Sequence, residues 1–256
     1  MPGPGTLAAL RVAVLTDIHA NLPALEAVLA AIDGAAIDEV WCLGDTIGYG
    51  ADPDRCADLV RARCDLCLVG NHDLAVLGAL DIGAFSEAAA AAVSWTSENV
   101  AERTLAMLRE LEPAGERQGI ALFHASPRDP VWEYVLSAEQ ADACLDAQPE
   151  RIALIGHSHV SLFFVRPAAD EHGEDIRGAQ AGDDTLLDLE AGEWLINPGS
   201  VGQPRDGDPR AAWLELDTWE HTARFHRVAY DVERAASAIV AAGLPRRLAD
   251  RLHVGS

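Results

Sequence analysis

Short apolar runs alternate with amphipathic stretches through the first half of the chain. Residues 11–16 predict a buried strand, because near-continuous apolar runs suit parallel strands covered on both faces. A helix follows: Asn21 can cap it, Pro23 suits its first turn, Leu25, Val28, Leu29 and Ile32 repeat at helical spacing, and Gly34 ends it. Residues 40–43 predict a second strand, 54–62 a helix and 66–69 a third strand. That order is β-α-β-α-β, with right-handed crossovers. From Asp73 to Gly119 the pattern is wholly helical, with alanine-rich segments at 86–100 and 101–111. Strands at 120–123 and 151–155 flank a helix at 137–145, and later apolar runs at 160–166, 194–196, 211–217 and 222–229 read mainly as β. A helical tail covers 232–252, and the acidic stretch 167–193 reads as a solvated hairpin loop. Without a repeat or linker, residues 1–256 read as a single domain with a helical insertion at about 75–118.

The polar groups that end these runs share one kind of position. Asp17-Ile18-His19, Gly44-Asp45, Gly70-Asn71-His72-Asp73, His124 and Gly156-His157-Ser158-His159 each follow an apolar run directly. Parallel strands deliver such groups to one carboxyl edge, where open α/β sheets form their ligand crevices. Mixed histidine, carboxylate and amide ligands suit Mn²⁺, Fe or Zn²⁺ and exclude an all-oxygen Ca²⁺ site. Residues i and i+2 on a turn can point the same way, so Asp17 and His19 can chelate one ion. His157 and His159 can reach two adjacent ions, and Asp45, with two oxygens, can bridge a pair.

Composition narrows the chemistry further. All 19 basic residues are Arg, so a P-loop and a Schiff-base lysine are excluded. The net charge of −22 repels duplex nucleic acid and anionic membranes, and any phosphate substrate needs local cations to overcome that field. Five cysteines and no secretory leader place the chain in the cytoplasm with reduced thiols. Cys64 and Cys67 have redox-motif spacing, but on a strand they face opposite sides, so both read as structural thiols. Gly48-Tyr49-Gly50 lacks the spacing of a dinucleotide site and reads as a turn. Arg128, Trp132 and Tyr134, shortly after His124, can bind a second anion and stack a base, or pack the insertion.

Taken together and in order, these motifs resemble those of the calcineurin-like metallophosphoesterases, over roughly residues 11–205. Asn197-Pro198-Gly199-Ser200-Val201-Gly202-Gln203-Pro204-Arg205 adds a likeness to the small bacterial phosphodiesterases of the YfcE type, from which the long helical stretch departs. The resemblance implies a four-layer α/β/β/α sandwich. One divalent ion would sit on Asp17, His19, Asp45 and His159, the other on Asp45, Asn71, His124 and His157, and a hydroxide between them would attack phosphorus. His72 then serves as general acid, with Asp73 orienting its ring and favouring the protonated form. The implied reaction is hydrolysis of a small organic phosphodiester with two Mn²⁺ ions, with a monoesterase, a phosphoprotein phosphatase or a non-catalytic scaffold as alternatives. An oligomer is compatible with all of these.

Overall fold

Strand β1 (Arg11–Leu15) shows how the layers arise. Its alternate residues serve two cores: Val12 and Val14 face one apolar cluster, Ala13 and Leu15 another, and all four are fully buried. The structure, a computed structural model, describes residues 9–168 and 175–256. β1 pairs in parallel with β2 (Glu39–Cys42), which pairs in parallel with β3 (Leu66–Cys67). On its other side β1 runs antiparallel to β11 (Ala211–Asp217), followed by β12 (Thr222–Val228) and β9 (Leu186–Asp188). The second six-stranded sheet has the order β4 (Ala114–Arg117), β5 (Ile120–Phe123), β6 (Ile152–Leu154), β10 (Glu193–Asn197), β7 (Leu162–Arg166) and β8 (Arg177–Gln180).

The cluster holding Val12, Val14, Trp41, Leu122, Leu154, Ile196 and Leu214 draws on both sheets and forms the central core. Helix α1 (Leu22–Asp33) covers the outer face of the first sheet through Leu25, Val28, Leu29 and Ile32. Asn21 caps it by accepting from the Ala24 amide at 3.2 Å. Helix α6 (Ala138–Ala147) covers the outer face of the second with Ala141, Cys144 and Leu145. The result is the expected order of helix, sheet, sheet and helix. Helix α2 (Pro53–Arg63) links β2 to β3. After β3 come α3 (Asn71–Val76), α4 (Glu87–Asn99) and α5 (Glu102–Leu108), and α7 (Val232–Ala241) and α8 (Arg246–Asp250) form the tail.

Several expectations need correction. The stretch before Gly119 is not wholly helical: β4 pairs antiparallel with β5 across Gln118-Gly119, both at positive φ (56° and 66°), which is the two-residue hairpin turn that matches strand twist. Residues 167–193 are not merely a loop. β8 extends one sheet and β9 the other, while Ala181, Leu187 and Leu189 enter the central core. Asp170, Glu171, His172 and Glu174 lie outside the described residues. The tail breaks after α7, where Gly243 turns at φ 74° ahead of Pro245. Cys64 precedes β3 instead of lying on it, and its thiol contacts that of Cys67.

Candidate metal centre

The carboxyl ends of β1, β2, β3, β5 and β6 converge, and each carries one of the polar clusters. Asp17, His19, Asp45, His157 and His159 all sit at positive φ, between 49° and 64°. Such left-handed backbone is uncommon outside glycine and collects at functional sites. It turns the chain sharply off each strand, so that side chains two apart face one spot. Gly70 permits the same crowding: a Cβ there would lie 2.1 Å from Asp45 Oδ1.

Two buried groups of side chains result: Asp17, His19 and His159, and Asp45, His124 and His157, with ligand atoms in each within 4.8 Å of one another. In the first, His19 Nε2 lies 3.1 Å from His159 Nε2, and Asp17 Oδ1 lies 3.4 Å from His159 Nε2. In the second, Asn71 joins with its Oδ1 3.1 Å from His124 Nε2. Asp45 Oδ2 lies 3.5 Å from His19 Nε2 and 3.7 Å from His124 Nε2, between the groups. The rings are aimed by their far nitrogens: Nδ1 of His19 donates to Ile47 O (3.2 Å), that of His124 to Leu43 O (3.0 Å) and that of His159 to Gln203 O (2.7 Å). Main-chain acceptors of this kind hold each Nε2 lone pair toward the centre.

The residues fit a pair of cations. Asp17 uses Oδ2 to accept from Thr16 Oγ1 and the His157 amide, and Asp45 uses Oδ1 to accept from the His72 amide. The remaining oxygens, Asp17 Oδ1 and Asp45 Oδ2, and His157 Nε2, are buried without any hydrogen-bond partner. Unpartnered buried acceptors are costly and demand a counterpart. Burial pushes Asp17 up to about 7 and raises Asp45, which Asp73 raises further, while it holds His19, His157 and His159 well below the ordinary histidine range. Carboxylates that lack a cation and imidazoles kept neutral are what a metal ligand set requires.

Asp17 makes a stability prediction. Its folded value exceeds its unfolded value of 3.8, so its penalty is absent below about pH 4 and complete above about pH 7. The depressed histidines act oppositely, losing stability as pH falls through 6.5, so the difference between variant and parent isolates Asp17. In chelator, Asp17→Asn is expected to stabilise the protein at pH 8 by at most about 4 kcal/mol and to leave it nearly unchanged at pH 4. Denaturant unfolding at both values checks this; equal effects at the two pH values would refute it.

Other expected site residues divide. His72 lines a cavity of about 350 Å³ above the ligand groups, with its ring 4.2 Å from that of Tyr49 and 5.0 Å from that of Phe85. Gly48 makes room for it, at φ 90°, since a Cβ there would meet His72 Nδ1 at 2.7 Å. Asp73 does not orient that ring. Its carboxylate instead accepts from the amides of Thr46 (3.2 Å), Ile47 (3.0 Å) and Gly70 (3.0 Å), tying the Asp45 and Asn71 turns together. Nor is His72 favoured in its protonated form, for burial and Arg205 push it well below the ordinary range. Trp132 and Tyr134 line the cavity, Tyr134 stacked on His157 at 4.1 Å. Arg128 does not line it and pairs with Glu133 at 3.4 Å. Tyr49, Phe85, Arg205 and Arg251, which carry no site motif in the sequence, also line it.

Residues 10–219 match the calcineurin-like phosphoesterase superfamily domain. The protein MJ0912 of Methanocaldococcus jannaschii is 37% identical over 249 residues, covering 95% of this chain and 98% of that one. A crystal structure of a metallophosphoesterase from Sphaerobacter thermophilus superposes with a TM-score of 0.86 at 36% identity, covering 97% of this chain and all of that one. The hypothetical protein PH1004 of Pyrococcus horikoshii shares the fold at a TM-score of 0.75 and 19% identity, covering 96% of this chain and 98% of its own. The family match and the 37% identity over nearly the whole chain place it in the calcineurin-like phosphoesterase superfamily, hydrolases of phosphate esters.

Proposed function

We propose that the chain hydrolyses a small organic phosphate ester, a diester in preference to a monoester, with Mn²⁺ in both ligand groups. The observation that carries this is Asp45 Oδ2, buried, without a hydrogen-bond partner, and within 3.7 Å of an imidazole from each group. Asp17, His19, Asp45 and His159 would hold one ion, and Asp45, Asn71, His124 and His157 the other. Such a pair supplies an activated water and neutralises phosphoryl charge. His72 faces the same cavity and holds a proton for the leaving oxygen. Burial keeps its ring neutral in the protein alone, and an anionic ester beside it is the opposite charge that favours protonation. Asp73 acts as a positioning residue, through the three amides it fixes.

The diester preference rests on the likeness of residues 197–205 to the YfcE-type phosphodiesterases. Trp132, Tyr134 and Phe85 offer flat apolar faces for an aromatic substituent, with Phe85 5.0 Å from Trp132. The five cysteines are all unpaired, in keeping with a reducing compartment such as the cytoplasm. Among the described residues no helix is long and apolar enough to cross a membrane. Assay with Mn²⁺ of p-nitrophenyl phosphate beside bis(p-nitrophenyl) phosphate is expected to show the higher kcat/KM on the diester. A higher value on the monoester would reverse the preference, and no turnover of either with Mn²⁺, Fe²⁺ or Zn²⁺ would refute the hydrolytic reading.

A further inference from the structure

Most arginines of this acidic chain pair with surface carboxylates, but among the described residues no Asp or Glu side chain lies in ion-pair range of Arg205 or Arg251. Both line the cavity above the metal ligands. They share one acceptor: Arg205 Nη2 and Arg251 Nη1 each donate to Gln203 Oε1 at 3.0 Å, and Arg205 Nη2 also donates to the Tyr49 hydroxyl at 3.3 Å. Each guanidinium keeps N–H groups without a protein acceptor, and Arg205 Nε is buried with no partner. Arg205 is fixed beside the centre, since its amide donates to His159 O at 3.0 Å and its guanidinium lies over the Tyr49 ring at 5.7 Å. Tyr49 in turn packs against His19 at 4.7 Å. Arg251 arrives from the chain's tail, just after α8, and its Nε donates to the main-chain oxygen of Ser256.

Two like charges sharing one neutral acceptor repel each other, and burial and Arg205 both press on Arg251. In a chain of net charge −22, leaving such a pair without a direct Asp or Glu partner is an arrangement that an anion completes. We infer that Arg205 and Arg251 form a subsite for a second phosphate of the substrate, so that the substrate is an organic phosphate carrying another phosphate beside the scissile one. Two guanidiniums match a phosphate dianion in charge, and their forked donors suit its several oxygens better than the two of a carboxylate. This assignment rests on the phosphoesterase reading of the same cavity.

The test is calorimetric binding to Mn²⁺-loaded protein of propyl phosphate, 1,3-propanediol bisphosphate and the matched 3-phosphonooxypropanoate, alongside turnover of the p-nitrophenyl esters. The bisphosphate is expected to bind about 10–100-fold more tightly than propyl phosphate, the worth of added charge-assisted hydrogen bonds, with the carboxylate analogue between them. Arg205→Gln and Arg251→Gln should each cut the ratio of bisphosphate to propyl phosphate affinity at least tenfold, and Arg251→Lys, keeping the charge without the fork, should cut it less. Thermal melting with Mn²⁺ confirms that each variant folds, and the native protein's ratios test the subsite even where a variant does not. Equal binding of propyl phosphate and the bisphosphate overturns the subsite while leaving the phosphoesterase reading intact. A carboxylate analogue binding as tightly as the bisphosphate overturns the phosphate assignment, and an unchanged ratio in both Gln variants overturns the role of these arginines. Failure of all three compounds to bind, with no ester hydrolysed, overturns the phosphoesterase reading itself.

Discussion

Asp45→Ala is expected to leave at most one ion per chain after dialysis against excess Mn²⁺, and to lower kcat/KM on every ester by more than about 10²-fold. That exceeds what the loss of an outer-shell partner costs a metal site. The reason is positional: Asp45 Oδ2 approaches His19 in one ligand group and His124 in the other, so its removal damages both. Asp17→Ala removes the unpartnered oxygen near His19 and His159, and should chiefly weaken one ion. Asp45→Asn keeps the acceptor for the His72 amide and separates loss of the metal oxygen from loss of the turn. Elemental analysis that finds two ions in both Asp45 variants would contradict a bridging role.

His72→Ala is expected to keep both ions and yet slow esters of poor leaving groups by about 10²–10⁴-fold, the usual worth of general acid–base catalysis. Activated p-nitrophenyl esters should lose much less, because their leaving oxygen needs no proton. The ring is buried and its Nδ1 has no protein partner, so nothing in the fold depends on that nitrogen. The contact to Asp45 runs through the His72 main-chain amide, and the ring touches the candidate ligands only by packing edge-on against His19, centroids 4.9 Å apart. Equal losses on activated and unactivated esters would assign His72 to positioning instead of proton transfer.

The candidate ligand set was legible because its members follow short apolar runs, and an apolar run followed by a polar turn marks the carboxyl end of a strand. Asp17, His19, Asp45, Asn71, His124, His157 and His159 all meet for that reason. Edge strands were less legible. β4 reads Ala-Gly-Glu-Arg, half exposed on the rim of its sheet, and has neither the apolar run nor the alternation that marks a strand. β9 holds one buried residue, Leu187, between exposed neighbours in an acidic stretch. Asp73 was read from its neighbour in sequence, His72, whereas the buried amides of Thr46 and Ile47 on the Asp45 turn and of Gly70 in its own turn claim its carboxylate. Arg251 gave no local sign at all. It is brought to the cavity by packing of the tail, where Leu248 and Leu252 join Ala235 and Ile239 of α7 in one apolar cluster. Arg205 did carry a sign, since it closes the run that begins at Asn197, but its sharing of Gln203 with Arg251 is visible only in space.

The two-ion centre is tested most directly by stoichiometry. Metal-free protein is dialysed to equilibrium against increasing Mn²⁺, and bound metal is measured by elemental analysis against protein concentration. Two buried ligand groups sharing Asp45 require binding to saturate at two ions per chain, with hydrolysis of bis(p-nitrophenyl) phosphate rising only as the second ion is taken up. Saturation at one ion in excess metal, with full activity at that point, would contradict it.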